Sequence, residues 1–288
     1  MHMDRTSKTS EYLTITQKQR LVELSAQKDD ISAVFSTKSE RDAFFKEKEK
    51  FYREQNRRRI FEVLEQNYRP LLLDVEEILS GWLIREHGFT RVVTPTIITA
   101  DMLTRMTIGA GHPLAGQVFW IEGNRCLRPM LAPNLYEVMG RLRKITRQPV
   151  RIFECGSCFR KESQGAHHLN EFTMLNLVEL ASVPEGGQMG RLKELACGAM
   201  NALNITGYKL ITEKSEVYGE TLDVVANGEE LASGAYGPHP LDDNWQITDT
   251  WVGIGFGLER ISMAKAGYKS IRRVGRSLNY LDGASLSI

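Results

Sequence analysis

One stretch of the chain carries residues that suit nucleotide binding. Arg160 and Glu162 stand two positions apart, before a polar loop that ends at Phe172. An arginine at a strand end can bind a phosphate through two hydrogen bonds. Glu162 shares the face of Arg160 by strand alternation, and its carboxylate can accept from an exocyclic amine. Phe172, on the returning strand, can then stack on a base. A charged surface hairpin is the alternative without a ligand.

A second stretch has glycine at 253, 255 and 257, followed by Arg260. Alternate glycines leave one face of a strand without side chains, so a flat ligand such as adenine can lie against it. Arg260 can stack its guanidinium on the ring from the next helix. A dinucleotide fingerprint would require glycine at 258, where Leu258 stands, and no βαβ pattern surrounds it. Close strand packing beside a surface arginine is the alternative.

Periodicity and turn signals predict the elements that position these stretches. Two helices are predicted over residues 39–67 and 71–87. From residue 89 onward hairpin signals dominate, with strands over 150–160, 172–180, 222–225, 230–235 and 251–256, and helices over 134–145, 184–203 and 258–266. This pattern predicts an α+β fold, an antiparallel β-sheet flanked by helices. We expect residues 1–69 to form a helical extension and residues 70–288 the main domain.

Composition narrows the class of protein. The 288 residues are 42% hydrophobic and 25% charged, which is ordinary for a globular protein. The sequence has no apolar run near the roughly 20 residues that cross a bilayer, and its first ten residues do not resemble a signal peptide. We therefore expect a soluble, cytoplasmic protein without a membrane partner.

Charge is distributed unevenly along the chain. The net charge is +1, but basic residues concentrate in 50–59 and 265–276. Such segregation suits either RNA phosphates or an exposed helix face. Cys155 and Cys158 form a C-x-x-C pair, but residues three apart on a strand face opposite sides, so we do not expect a zinc site.

Taken together, the two stretches resemble motifs 2 and 3 of class II aminoacyl-tRNA synthetases, and residues 88–95 (GFTRVVTP) resemble motif 1. Residues 127–136 (LRPMLAPNLY), 172–176 (FTMLN) and 217–223 (VYGETLD) resemble the pyrrolysyl-tRNA synthetase family. This resemblance implies a homodimer that activates pyrrolysine with ATP and transfers it to the 3′ end of its cognate tRNA. Many members carry a separate N-terminal tRNA-binding domain, for which this chain has no room, so we expect a form without it.

The resemblance also implies roles for the nucleotide residues. Arg160 holds the α-phosphate, Glu162 binds the adenine amine, and Phe172 and Arg260 enclose the ring, with Arg160 and Arg260 as the catalytic pair. His168 and Leu169 lie in the loop where the triphosphate bends back. Glu230 and Ser233 hold Mg²⁺, a hard cation that takes oxygen ligands.

The family's amino-acid pocket corresponds to Ala132, Leu135, Tyr136, Met139, Asn176, Val178, Tyr218 and Trp251. Most of these side chains are apolar, which suits a long substrate with a bulky apolar end. Asn176 is the polar exception, and its buried amide requires a partner such as the carbonyl of an acylated lysine. Tyr218 is expected to act as a mobile lid. Val178 and Gly234 differ from the family pattern, and Tyr236 is expected to narrow the pocket floor.

Two alternatives remain open at this point. The chain can be a class II synthetase for another large amino acid such as phenylalanine, although Asn176 argues against a purely apolar substrate. It can also be a tRNA-binding paralogue without catalysis, although Arg160, Glu162, Phe172 and Arg260 are all present. Under the family interpretation, the basic stretches and the segment 1–69 are expected to contact tRNA.

Overall fold

The computed structural model describes residues 10–65, 69–161, 168–215 and 217–288. The α-helices of this part of the chain are α1 (Ile15–Glu23), α2 (Lys28–Ile31), α3 (Lys38–Glu65), α4 (Leu71–His87), α5 (Ala100–Arg105), α6 (Pro113–Gln117), α7 (Ala132–Thr146), α8 (Gln188–Ala202) and α9 (Leu258–Ala266). Two 3₁₀ helices cover Pro240–Trp245 and Ile271–Arg273. Within these ranges, no helix combines the length and apolar composition that crossing a lipid bilayer requires.

The same residues form short and long strands. They are β1 (Glu11–Tyr12), β2 (Val34–Phe35), β3 (Thr90–Arg91), β4 (Ile97–Thr99), β5 (Trp120–Ile121), β6 (Arg125–Leu127), β7 (Val150–Phe159), β8 (Glu171–Leu180), β9 (Lys209–Ser215), β10 (Gly219–Ala226), β11 (Glu229–Gly237), β12 (Trp251–Gly257), β13 (Tyr280–Leu281) and β14 (Ala284–Ser285). Helices α4 and α9 match their predicted ranges. Helix α8 begins four residues later than predicted, and β9 was not predicted.

The chain forms two compact units. The first contains the described residues up to Pro70 together with Ser277–Ile288, and the second is Leu71–Arg276. In the first unit, the buried Asn56 side chain of α3 accepts a hydrogen bond from the Ser285 backbone N–H at 2.6 Å. Its amide donates to the Leu24 carbonyl at 2.9 Å. The C-terminal segment therefore packs with the N-terminal helices, whereas the predicted division at residue 69 placed it in the main domain.

A seven-stranded sheet forms the centre of the second unit. Its strand order is β3-β7-β8-β12-β11-β10-β9. Every neighbouring pair is antiparallel except β3 and β7, which run parallel. The sheet agrees with the predicted α+β class and adds one parallel pair at its edge. Strand β12 lies between β8 and β11, with Gly255 opposite Asn176 on one side and opposite Ser233 on the other.

The two faces of β12 differ in chemistry. Val252, Ile254 and Phe256 are buried in a core that also contains Leu79 of α4 and Leu195 of α8. The alternating positions 253, 255 and 257 are glycines, so beyond Trp251 the opposite face of the strand carries no side chains. Burial of a large apolar side chain stabilises a fold by about 1.5–3 kcal/mol, so this core fixes the strand and leaves its bare face available.

A buried ion pair between Arg128 and Glu154 lies on the side of the sheet opposite the core that contains α8, and it belongs to a network that joins three parts of the chain. Arg128 and Glu154 are 3% and 1% exposed, and Arg128 Nη1 lies 2.7 Å from Glu154 Oε1. The backbone N–H and hydroxyl of Thr94 both donate to the Glu154 carboxylate. Asn134 of α7 donates to the Thr94 hydroxyl at 2.7 Å. The network therefore connects the segment after β3 to β7 and to the first turn of α7.

Removing one partner of this pair is predicted to be costly. Glu154→Ala leaves the Arg128 guanidinium buried without a counterion, and we expect the free energy of unfolding to fall by about 3–5 kcal/mol. Arg141→Ala is the control, because Arg141 is 75% exposed in its pair with Glu137 and such pairs contribute less than about 1 kcal/mol. Urea unfolding monitors both variants. Equal losses would show that the buried pair has no special role.

Candidate active site

A cavity of about 350 Å³ lies on the bare face of the sheet. Gly255 and Gly257 form part of its wall. It brings together seven of the eight residues predicted to bind the nucleotide: Arg160, His168, Leu169, Phe172, Glu230, Ser233 and Arg260. The eighth, Glu162, belongs to 162–167 and lies outside the described residues.

Two arginines carry positive charge into this cavity from different elements. Arg160 follows β7, donates from Nε to the Pro129 carbonyl at 2.8 Å, and has its guanidinium 5.3 Å from the Phe172 ring centroid. Arg260, in the first turn of α9, donates from Nη1 to the Glu230 carbonyl at 3.2 Å. Its Nη1 also lies 3.7 Å from Glu230 Oε1. The predicted aromatic and cationic groups therefore line one cavity.

Oxygen ligands for a hard cation stand on β10 and β11. Burial raises the pKa of Glu230, Arg260 opposes this, and the nearby Asp223 adds to the rise. The Ser233 hydroxyl donates to Asp223 Oδ1 at 2.7 Å, so its lone pairs remain available to a metal. A cation here would relieve the unfavourable charge on Glu230, so these residues fit the Mg²⁺ that the family implies.

Glu259 is a lining residue that the sequence analysis did not identify. It is 1% exposed, and both carboxylate oxygens lie 2.9 Å from the Thr173 backbone N–H, next to Phe172. Burial raises its pKa, and hydrogen bonds from Thr173 and the charge of Arg276 oppose that rise. The sequence offered one signal for Glu259: an acidic residue stands between an apolar strand and Arg260.

A smaller cavity of about 70 Å³ adjoins the first. All eight predicted amino-acid pocket residues line it: Ala132, Leu135, Tyr136, Met139, Asn176, Val178, Tyr218 and Trp251. Six residues line both cavities: Ala132, Asn176, Tyr218, Thr221, Ser233 and Gly255. Ligands in the two cavities would therefore meet over the same strand. The lining of the smaller cavity, within the described residues, contains no aspartate or glutamate.

Asn176 supplies the polar group of the small cavity. Its Oδ1 is fully buried and has no hydrogen-bond partner in the described part of the chain. A Cβ added at Gly255 would lie 3.0 Å from this oxygen, so glycine leaves room beside the amide. An unsatisfied buried polar group costs about 1–3 kcal/mol, so a ligand with matching polar atoms would gain from pairing with it.

Aromatic rings form the closed end of this cavity. Tyr136 stacks on Trp245 with centroids 5.2 Å apart, and it meets Trp251 edge-on at 5.6 Å. Tyr218 also lies edge-on to Trp251, at 6.1 Å. Burial raises the pKa of both tyrosines, so each hydroxyl stays protonated. The structure places Tyr218 in both cavity walls, and its lid role stays a prediction.

Tyr236 does not narrow the pocket floor, and that expectation was wrong. Strand alternation places Tyr236 on the side of β11 opposite Ala235, and Ala235 lines the cavity while Tyr236 is 38% exposed. Gly234 faces the same way as Tyr236, because a Cβ there would lie 2.8 Å from Leu192 of α8. Val178 does line the cavity.

The cysteine pair, Cys155 and Cys158, lies on β7. Cys155 packs against the core that contains α8, whereas Cys158 is buried in the core on the other side of the sheet. The two thiols therefore face opposite sides, as strand geometry predicts. No group of three potential metal ligands among histidine, cysteine, aspartate and glutamate occurs in the described ranges.

Comparison with known proteins agrees with this architecture. Residues 31–282 match the family model for the tRNA synthetases class II core domain. The fold is thus that of the class II aminoacyl-tRNA synthetase core domain. A crystal structure of pyrrolysyl-tRNA synthetase from Desulfitobacterium hafniense is 48% identical, with a TM-score of 0.89 over 96% of this chain and 99% of that one. A second structure of a pyrrolysyl-tRNA synthetase from the same organism is 46% identical, with a TM-score of 0.89 over the whole of both chains. The chain belongs to the pyrrolysyl-tRNA synthetase family.

The raised pKa of Glu230 gives a pH-dependent prediction. The folded protein holds this proton more tightly than the unfolded chain, so wild-type stability falls as pH rises through the pKa range of glutamate. Glu230→Gln removes the cost of this partly buried charge. We expect the free energy of unfolding to rise by less than about 1 kcal/mol near pH 7, since the side chain is 49% exposed. The gain should vanish below about pH 4, where both states are protonated.

Thermal unfolding at the two pH values measures this difference. Glu185→Gln, at an exposed position before α8, is the matched control and should change little at either pH. A loss of stability in Glu230→Gln near pH 7 would contradict an unfavourable charge at Glu230.

Proposed function

We propose that the chain activates pyrrolysine with ATP to form pyrrolysyl-adenylate and then transfers the acyl group to the 3′ end of its cognate tRNA. One observation carries this proposal: the pocket with the unpaired Asn176 Oδ1 opens beside the cavity of Arg160 and Arg260. Membership of the pyrrolysyl-tRNA synthetase family supports the same activity.

In the proposed first step, the substrate carboxylate attacks the α-phosphate of ATP, the bond to the α–β bridging oxygen breaks, and pyrophosphate leaves. The nucleophile is already an anion, so the residues need no general base and act by positioning and charge neutralisation. Arg160 binds the α-phosphate, and Phe172 and Arg260 enclose the adenine ring. Glu162 accepts from the adenine amine. His168 and Leu169 border the bent triphosphate.

Glu230 and Ser233 would hold Mg²⁺ beside the phosphates. Both residues offer oxygen ligands, and Asp223 orients the Ser233 hydroxyl so that its lone pairs are free. When bound, the ion neutralises part of the phosphate charge.

The pocket lining favours an acylated lysine over other large amino acids. A lysine ammonium would be buried without a counter-charge, since the described residues that line this pocket include no acid. Phenylalanine would leave the Asn176 amide without a partner. The side-chain amide of pyrrolysine offers an N–H to the Asn176 oxygen and a carbonyl to the Asn176 NH₂ group, and its ring can fill the aromatic end.

Replacement of Asn176 tests the pocket assignment. Asn176→Ala removes the only side-chain amide among the described residues of the lining, and we expect pyrrolysine-dependent ATP–pyrophosphate exchange to fall by about tenfold to a hundredfold. ATP binding, followed by isothermal titration calorimetry, should stay within about twofold because the nucleotide contacts remain. Asn201→Ala, at an exposed position on α8, is the control. Full exchange activity in Asn176→Ala would contradict the assignment.

The exposed face of α3 is the proposed tRNA contact. Lys50, Arg53, Arg57 and Arg58 are exposed on it, and Phe51 is 55% exposed among them. Basic groups bind phosphates, and exposed rings can stack on unpaired bases. Arg59 is less available, because its Nη2 lies 3.2 Å from Asp282 Oδ2 within the same unit.

The second basic stretch has partners within its own unit. Lys265 lies 3.6 Å from Asp74, and the Arg273 guanidinium stacks over the Tyr268 ring at 4.3 Å. Arg276 donates to the Thr173 hydroxyl at 2.7 Å. These contacts support a structural role for part of residues 265–276, so α3 is the stronger candidate surface.

Charge reversal tests this surface. Arg53→Glu, Arg57→Glu and Arg58→Glu combined should reduce tRNA aminoacylation by tenfold or more, because three phosphate contacts become repulsive. Pyrophosphate exchange should persist, since α3 lies outside the unit that holds both cavities. Parallel loss of exchange, or unchanged aminoacylation, would contradict the proposed surface.

We also propose a homodimer that acts in the cytoplasm. Residues 88–95 resemble the interface motif of class II synthetases, and Val93 within them is 86% exposed. Ile97 and Trp120, on the small sheet that follows, are 47% and 48% exposed. Large exposed apolar side chains are typical of an interface.

A further inference from the structure

We propose that Asp242 is a positioning residue that sets substrate specificity, because its carboxylate holds the two aromatic rings at the closed end of the amino-acid pocket. This inference deepens the proposed function and depends on it. No part of Asp242 lines either cavity, so it would act only through Tyr136 and Trp251.

The carboxylate accepts a hydrogen bond from each ring. The Tyr136 hydroxyl donates to Oδ1 at 2.9 Å, and Trp251 Nε1 donates to Oδ2 at 2.8 Å. Asp242 is 2% exposed, and the two rings are 3% and 2% exposed. Hydrogen bonds to a charged acceptor are stronger than neutral ones, and burial strengthens them further. The Tyr136 ring belongs to α7 and the Trp251 ring to β12, so the carboxylate joins these two elements.

The backbone around Asp242 fixes the carboxylate in turn. It lies in the first turn of the 3₁₀ helix Pro240–Trp245, where Oδ2 also accepts from the His239 backbone N–H at 2.7 Å. His239 Nδ1 accepts from the Leu241 backbone N–H at 3.2 Å, and His239 and Asp242 form a capping box at the start of this helix. The carboxylate is therefore held independently of the substrate.

The contact between Trp251 and Asp242 requires a glycine on the neighbouring strand β11. Gly237 stands opposite Trp251 in the sheet, and a Cβ there would collide with the indole nitrogen and with the Asp242 carboxylate. Any side chain at 237 would separate the donor from its acceptor. The absence of a side chain is thus required for the Trp251–Asp242 contact.

The consequence for the substrate follows from the position of the rings. Tyr136 and Trp251 line the same small cavity as Asn176, so their placement sets the space left beyond the amide. Without Asp242, a buried hydroxyl and a buried indole N–H would lose their acceptor, and both rings would reorient toward other partners. The substrate would then meet a pocket of different shape, while the ATP cavity keeps its residues.

An asparagine at position 242 separates geometry from charge. With its oxygen in place of Oδ2, it still accepts from Trp251 and from the His239 backbone. Its amide then donates to the Tyr136 oxygen, because a phenol can accept as well as donate. Asp242→Asn thus preserves all three contacts without the negative charge, and Asp242→Ala removes them.

The test is ATP–pyrophosphate exchange with the full chain, with KM and kcat determined separately for pyrrolysine and ATP. For Asp242→Ala we expect a rise of about tenfold to a hundredfold in the KM for pyrrolysine, with the KM for ATP within about twofold of wild type. Asp242→Asn should stay within about threefold of wild type for both substrates. Asp243→Ala, at the exposed neighbouring position of the same 3₁₀ helix, is the matched control.

A second variant covers the case in which Asp242→Ala does not fold. Tyr136→Phe deletes only the tethered hydroxyl and should raise the KM for pyrrolysine by about threefold to tenfold. In the double variant with Asp242→Asn, the amide has no phenol to meet, so the effect should exceed the product of the two single effects.

Three outcomes would overturn the proposal. They are equal losses in Asp242→Asn and Asp242→Ala, parallel rises in the KM for ATP and pyrrolysine, and an unchanged KM for pyrrolysine in both Asp242→Ala and Tyr136→Phe. The wild-type arm tests the proposed function separately. If wild type exchanges with another amino acid, the proposed substrate is wrong, and the same comparison made with that amino acid still tests the role of Asp242.

Discussion

The site depends on strand β12, whose cavity side carries no side chains from Gly253 to Gly257. On β12, Val252, Ile254 and Phe256 anchor one face in the core, and the glycines between them leave the other face bare. Gly253 and Gly255 lie in the wall of the small cavity, and Gly255 and Gly257 in that of the large one. Ligands in the two cavities would therefore share one surface, which would bring a carboxylate in one cavity to a phosphate in the other.

Polar groups around this bare surface are held by contacts that do not involve a ligand. Glu259 accepts from the backbone beside Phe172, Asp223 accepts from Ser233, and Asp242 accepts from the two rings of the pocket. Each contact orients a cavity residue before a substrate arrives. Preorganisation of this kind lets a site act by position and charge rather than by proton transfer. The orphaned oxygen of Asn176 is the exception that a substrate would satisfy.

Local signals predicted the central elements, because strong periodicity and glycine spacing are written into short segments. Helix α4, helix α9 and the hairpin of β10 and β11 follow directly from such patterns. Strand β9 was missed because its charged residues do not alternate with apolar ones. Asp242 was missed for a different reason: Tyr136 and Trp251 reach it from 106 and 9 residues away, and no local spacing encodes that meeting. The face of Tyr236 was likewise set by pairing with β12, which the sequence alone leaves open.

The most direct test of the account is ATP–pyrophosphate exchange by the wild-type chain with pyrrolysine, phenylalanine and lysine supplied in parallel. We expect exchange with pyrrolysine and little with the other two, because only pyrrolysine offers both a side-chain amide for Asn176 and an uncharged ring for the aromatic end of the pocket. Exchange with phenylalanine or lysine but not with pyrrolysine, or no exchange with any of the three, would contradict it.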